Sequence, residues 1–433
     1  MSMHRIEPAL RFRATKTALM TAAAAVISLS SGAASAQEFD PRTPLESRAR
    51  PEFSPVPIRV GSFEIRPQVD ASIEYVDNLF ASDVLDVDDV VLSVRPSVTI
   101  SDRRPDRELS ANLGTGYQTF LNNNSGDLFQ VLGRANARLG LGTATRPFAG
   151  VTFRLNDAAQ FDFGSAGNVA QPLKTISYGG NLGIQQDIGP FTLEGEGQYS
   201  RFEYNGPIFF GATAIDGNLR DYSLYQGRAR VAYARLPGQR LYVEGRYGRF
   251  DFGNPAIGTV PGLPAFFTAD RSGDNLTAVA GIQFRVTDVL SFDANAGITE
   301  LKFDDPALPS TSAFSAEANL FYAPTRLTRF QLQATRAIDD TINPLFASLL
   351  RTGVAVVAEH ELRRNLLIRG EARYVEFDAG GAGLAGDEYQ LSASAVYFVS
   401  PKIVLRLRGE YFDRSGFASG QQRRVLLSAG YRF

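Results

Sequence analysis

Residues 62–75 read SFEIRPQVDASIEY. Phe63, Ile65, Pro67, Val69, Ala71, Ile73 and Tyr75 take every odd position; Glu64, Arg66, Gln68, Asp70, Ser72 and Glu74 take the even positions between them. Side chains on a strand alternate between its two faces, so this segment is a strand with one apolar and one wet face. A helix, repeating every ~3.6 residues, does not produce that pattern.

Working outward, the same alternation recurs to the end of the chain. It predicts strands at 62–75, 90–101, 107–120, 128–142, 148–156, 175–187, 191–204, 222–235, 240–252, 275–286, 290–303, 311–323, 327–338, 350–362, 366–377, 387–399, 402–414 and 422–433, eighteen in all. Most reach the roughly nine to eleven residues that a tilted strand needs to cross a bilayer. The last carries RVLLSAGYRF, with Val425, Leu427, Ala429, Tyr431 and Phe433 on one face and a terminal aromatic.

The connections alternate in length. Short turns fall at 102–106, 143–147, 188–190, 236–239, 287–289, 324–326, 363–365 and 400–401. Longer loops fall at 76–89, 121–127, 157–174, 205–221, 253–274, 304–310, 339–349, 378–386 and 415–421. An even strand number with short turns at one end and long loops at the other is the pattern of an outer-membrane β-barrel. A soluble sandwich has no reason to show it. Both termini fall on the short-turn side, which such a barrel keeps in the periplasm. The expected fold is therefore an all-β, antiparallel up-and-down transmembrane barrel. Aromatics near strand ends fit two interfacial girdles: Phe120, Tyr204, Phe252, Phe303, Phe377, Tyr411 and Phe412 by long loops, Phe148, Phe191, Tyr322 and Phe398 by short turns.

The chain's start supports export. Arg5, Arg11, Arg13 and Lys16 precede an apolar stretch, 17–29, and Ala34-Ser35-Ala36 forms a small-residue cleavage site. Residues 1–36 thus read as a signal peptide, its apolar core too short for a membrane span. Residues 37–61, rich in Pro, Arg and Glu, read as an irregular periplasmic extension, and 62–433 as the barrel. Four basic residues and Glu7 leave with the signal, so 44 basic and 46 acidic residues become 40 and 45 in the mature chain. That excludes a strongly basic nucleic-acid binder. There is no cysteine, hence no disulfide framework or thiol chemistry. After the signal only Lys174, Lys302 and Lys402 remain as lysines, so nearly all positive charge is arginine.

Arg66 to Phe80, RPQVDASIEYVDNLF, followed by Val94-Arg95-Pro96-Ser97-Val98 and the terminal GYRF, resembles the family of Putative beta-barrel porin 2 of Gram-negative bacteria. The resemblance implies an outer-membrane barrel and no catalytic residues. The C-terminal strand resembles the assembly signature of outer-membrane barrels, which implies that Tyr431 and Phe433 are read by the barrel-assembly machinery. Asp77 and Asn78 would shape the first external turn by bonding nearby backbone.

Chemistry sites are scarce. His360, the mature chain's sole histidine, lies on the apolar parity beside a short turn, which disfavours catalysis and zinc. Asp77, Asp83, Asp86, Asp88 and Asp89 could hold a divalent cation, but their spacing is not that of an EF-hand and charge runs are usually solvated. The glycines at 140–142 and 380–383 lack phosphate-loop spacing. No metal or cofactor is expected.

Opposite the apolar parity lie Arg134, Arg138, Glu194, Glu196, Arg228, Arg230, Glu244, Arg246, Arg369, Glu371, Arg373, Arg406, Arg408 and Glu410. Charges of both signs turned into a barrel need water or each other. An eighteen-stranded barrel is wide enough for an aqueous channel. The expectation is a passive diffusion channel for small hydrophilic solutes, these residues lining the pore and the loop 157–174 folding in as a constriction. The alternative is a structural or export-associated barrel linked to envelope exopolysaccharide. Expected partners are outer-membrane lipid and lipopolysaccharide; self-association is open. At 25 residues, 37–61 is too short for the plug domain of an energised transporter.

Overall fold

The computed structural model describes residues 40–433 except 82, 84–85, 123–126, 159–172, 211–212, 217, 219–220, 235, 254–269, 340–347, 380–383 and 417–418. Eighteen long strands run in chain order: β1 Phe63–Asp77, β2 Asp89–Arg103, β3 Arg107–Phe120, β4 Leu128–Leu139, β5 Thr145–Ala158, β6 Leu173–Ile188, β7 Phe191–Asn205, β8 Tyr222–Tyr233, β9 Gln239–Phe252, β10 Gly273–Thr287, β11 Leu290–Phe303, β12 Thr311–Thr325, β13 Thr328–Asp339, β14 Leu349–Arg363, β15 Leu366–Ala379, β16 Leu384–Phe398, β17 Ile403–Ser415 and β18 Gly420–Arg432. Each pairs antiparallel with the next, and β18 returns to β1 in the register Gln68↔Arg432 through Asp77↔Arg423. The sheet is therefore a closed barrel, with no edge strand left among these eighteen.

The seam is sealed below the C-terminus. The Phe433 N–H donates to the Pro67 carbonyl at 3.1 Å. A short strand, Ile58–Val60, then pairs with Phe63–Ile65 of β1. Its tight return passes through Gly61, whose φ of +61° is one that glycine adopts without strain. A small hairpin, Pro207–Phe210 with Thr213–Asp216, stands in the loop after β7.

Alternation sorts every strand into an outward and an inward set. Outward-facing Ile73, Leu113, Val151, Leu182, Val243, Ile298, Leu407 and Leu427 are exposed, each about half or more. The inward parity is polar at mid-height and apolar at the long-loop end. There Val76, Leu79, Val91, Phe120 and Leu128 form one buried cluster; Tyr204, Tyr222, Phe250, Leu301 and Ile338 form another.

This corrects the girdle assignment. Phe120, Tyr204, Phe252, Phe303, Phe377 and Phe412 lie near long loops, but on the inward parity of their strands. Phe148 and Phe398 are inward as well; the Phe148 ring lies where a side chain at Gly183 would stand. Proximity to a loop does not decide the face; parity does. Tyr411, Phe191 and Tyr322 do lie outward as expected; other outward aromatics include Tyr75, Tyr117, Phe129, Tyr178, Tyr225 and Tyr247 towards the long loops, and Phe63, Tyr397, Tyr431 and Phe433 towards the short turns. Several of these tyrosines donate their hydroxyl to a rim carboxylate: Tyr75 to Asp88, Tyr117 to Asp127 and Tyr247 to Asp274, each at 2.7 Å.

Candidate functional site

The inward face at mid-height is the candidate site, and strand register builds it. Arg228 of β8 stands opposite Glu196 of β7 and Arg246 of β9; Arg230 stands opposite Glu194 and Glu244. These six groups meet in one network. Arg228 donates to Glu196 at 2.7 and 3.0 Å, contacts Glu194, and reaches Glu244 at 3.5 Å. Arg230 and Arg246 both bond Glu244, whose side chain is buried. The Arg230 guanidinium also lies 4.5 Å from the Tyr242 ring centroid. A buried carboxylate needs such partners, because an unpaired charge in that position is costly.

Across β15–β17 the pairs are looser. Arg369 donates to Glu371 at 2.8 Å, and Arg408 lies 3.6 Å from Glu410, which also accepts from Gln390. Arg406 is shared between Asp70 of β1 at 3.2 Å and Glu46 at 3.3 Å. Arg373 faces the same wall on the inward parity of β15.

The wall of β4 and β5 differs. Arg134 and Arg138 of β4 and Arg154 of β5 are exposed on the inward parity, with no ion pair among the described residues. Arg134 and Arg154 line a recess of about 390 Å³ together with Asn136, Thr152, Ser177 and Asn181. Thus the fourteen sequence-predicted residues share one face but not one state. Six are tied into a network, Arg369, Glu371, Arg406, Arg408 and Glu410 are paired locally, and Arg134, Arg138 and Arg373 are exposed without an ion pair among the described residues.

Sequence reasoning missed a second component. Residues 40–54 are not a free tail; they lie inside the short-turn end of the barrel. Arg42 holds Asp293 of β11 by two bonds, 2.6 and 3.1 Å, and Ser291 at 3.0 Å. Arg329 of β13 donates to the Pro41 carbonyl at 2.8 Å and to Glu359 of β14 at 3.0 Å. Glu359 accepts the Leu45 N–H at 3.1 Å. Arg50 donates to Glu361 at 2.7 Å and to the Leu45 carbonyl at 2.8 Å. Leu45, 1% exposed, packs with Leu367, Val396, Phe398 and Val404. Removing that side chain from water contributes about 2 kcal/mol. Arg432 donates to the Phe53 carbonyl at 2.9 Å, close to where the chain enters the short strand. Glu52 meets Arg364, and its carboxyl is held below the ordinary value by its own backbone N–H and then by Arg364.

Of the five rim acids, Asp77, Asp86 and Asp88 bring their carboxylates within 4.8 Å of one another. Asp89 is turned away, buried and accepting the Asn122 N–H. Asn78 does adopt the left-handed turn conformation, φ +54°. Among the bonds that fix the turn's backbone, the Asn78 N–H donates to Asp88, the Leu79 N–H to the Val87 carbonyl, and Gln422 to the Asn78 and Leu79 carbonyls. Leu79 is thereby tucked into the barrel mouth, 2% exposed. His360 sits on the outward parity of β14, 2.9 Å from the Thr328 hydroxyl. The expected constriction loop, 157–174, lies almost wholly outside the described residues.

A closed eighteen-stranded barrel with a charged interior is matched by one protein-family model, Putative beta-barrel porin 2, over residues 50–432. The chain belongs to that family. As a Putative beta-barrel porin 2 member it is a porin-type barrel of the outer membrane. No curated protein matches it. Among solved structures it is similar to the outer membrane protein OpdK from Pseudomonas aeruginosa, at 13% identity over 86% of this chain and 99% of that one, TM-score 0.46. It is similar to a BenF-like porin from Pseudomonas fluorescens Pf-5, at 11% identity over 85% and 99%, TM-score 0.46. It is also similar to the copper transporter OprC, at 10% identity over 87% and 81%, TM-score 0.47. These are distant likenesses of chain path. This porin's matched span begins at residue 50, so most of the segment seated in the barrel lies upstream of it.

Proposed function

We propose that the protein is a passive outer-membrane channel for small hydrophilic solutes, without chemistry of its own. The observation that carries this is the open arginine wall of Arg134, Arg138 and Arg154. Charged side chains left unpaired and exposed inside a barrel this wide are stable only in water. Rings of such charge set solute preference. The wall favours anions over cations, while the paired β7–β9 network, whose Glu196 lines the same recess, contributes little net field and stiffens the neighbouring side.

In this reading the signal peptide is cleaved and the short-turn end, with both termini, faces the periplasm. Outer-membrane lipid and lipopolysaccharide surround the outward face. The assembly machinery reads the Tyr431–Phe433 end, where the two rings meet edge-on at 4.8 Å. Removing Phe433 then lowers assembled yield and leaves conductance unchanged; a normal yield on quantitative immunoblot removes the assembly role.

The test of the channel is single-channel recording of refolded protein in a planar bilayer. Steady open currents are expected, with anion preference. Arg134→Glu with Arg138→Glu shifts the reversal potential towards cations. A silent bilayer overturns the channel and leaves the structural or export-associated reading.

A further inference from the structure

From the segment at 40–54 we infer a resident constriction, a strap that stays docked in the conducting channel and limits solute size at the short-turn mouth. The inference rests on the channel reading and adds the element that sets its bore.

The strap is built to stay. Its contacts run along consecutive strands on the inward parity: Asp293 of β11, Phe321 of β12, Arg329 of β13, Glu359 and Glu361 of β14, Leu367 of β15, Phe398 of β16, Arg406 of β17 and Arg432 of β18. Eight strands spaced by about 4.8 Å span about 34 Å of arc. Fifteen residues reach at most about 50 Å. The length therefore suits a liner that follows the wall, not a stopper that fills the bore. Among the described residues the wall of β2–β10 carries no such cover at that end.

Its chemistry is that of a fixed part. Pro41, Pro44 and Pro51 restrict the backbone and lower the entropy lost on docking. Carbonyls that a buried irregular segment leaves without a ladder are taken up by arginines: Pro41 by Arg329, Leu45 by Arg50, and Phe53 by Arg432. Arg50 and Glu361 are 3% and 5% exposed, so neither leaves its partner without a large penalty. Meanwhile Glu46, Ser47 and Ala49 are exposed. The strap thus presents a lumen-facing edge. Asp40, Glu46 and Glu52 balance Arg42, Arg48 and Arg50, so it adds bulk with no net charge.

Bulk without charge gives a distinctive signature. Deleting 40–54 raises single-channel conductance by at least about twofold, because current scales with the bore, and leaves the reversal potential in a salt gradient unchanged. A second arm keeps the full chain, in case the deletion fails to assemble. Ala49→Cys is a unique thiol in a cysteine-free protein. Coupling it to a bulky anionic methanethiosulfonate produces a stepwise loss of current and a shift towards cations. An open wild-type channel whose current ignores both the deletion and the label overturns the strap alone. A silent wild type that opens on deletion makes the segment a stopper and overturns the constriction. Silence of both forms overturns the channel reading and this inference with it.

Discussion

At the long-loop end, Tyr75 donates to Asp88, 13 residues away, and Tyr117 to Asp127, 10 residues away. At the short-turn end, Leu45 donates to Glu359 and Arg50 to Glu361, across 314 and 311 residues. These outer ties of the first end join neighbours in sequence and touch solvent, although Gln422 also reaches the Asn78 and Leu79 carbonyls inside that mouth. The second is tied by buried charges from opposite ends of the chain. Energetic weight follows burial: an exposed pair is screened by water, whereas a buried one cannot lose a partner without stranding a charge. The rim is therefore adjustable and the strap is fixed.

The largest way to break this contrast is Glu361→Ala. It leaves Arg50 buried without its carboxylate, at a cost of about 3–5 kcal/mol. The strap undocks, and trypsin cuts after Arg42 and Arg48 in the folded barrel; continued protection would mean that the ion pair does not hold the strap. Leu45→Ala comes next, since a truncated core side chain costs about 3 kcal/mol. It should speed the same cleavage without changing the melting of the barrel, read by the gel shift of heated samples. A drop in barrel melting would make the strap part of the barrel's stability instead. Smallest is Tyr75→Phe. It removes one exposed bond, changes neither melting nor current, and speeds hydrogen exchange at the Asn78 amide, which Asp88 accepts. A change in current would give the rim a role in conduction.

The same tie has a pH dependence of definite sign. The Tyr75 hydroxyl first, and the Asn78 N–H second, hold the Asp88 carboxyl below its ordinary value. The tie is thus complete above the usual carboxylate range and is lost only as pH falls through the lowered value. Exchange at Asn78 should stay slow at mildly acidic pH and accelerate below it. Acceleration that begins near neutrality would contradict the assignment.

Much of this was legible in residue order. Each of the eighteen strands lies within a few residues of where alternation places it, because a period of two is a local property. The same count puts all fourteen lumen candidates on the inward parity. It also held the correction to the aromatics: Phe252 has even parity in a strand whose outward residues, Leu241, Val243 and Tyr247, are odd. Closeness to a loop was the wrong measure there. Which charges pair was not legible. Glu244 can serve three arginines only because the registers of β8 and β9 bring them to one height. Arg134 looks identical to Arg228 in sequence and differs in having Asn112 and Thr152, not acids, opposite; Arg138 stands opposite Glu108 yet forms no ion pair with it.

Sequence alone therefore determined the strands, their faces, the alternation of turns and loops and the closure of β18 on β1, since all of these follow from local periodicity and chain order. Only the tertiary structure decided what occupies the short-turn mouth. Residues 40–54 have no periodicity and read as a polar tail. Their meaning lies in Asp293, Glu359 and Glu361, about 250 to 310 residues downstream, whose charges become buried partners only once the barrel has closed around them.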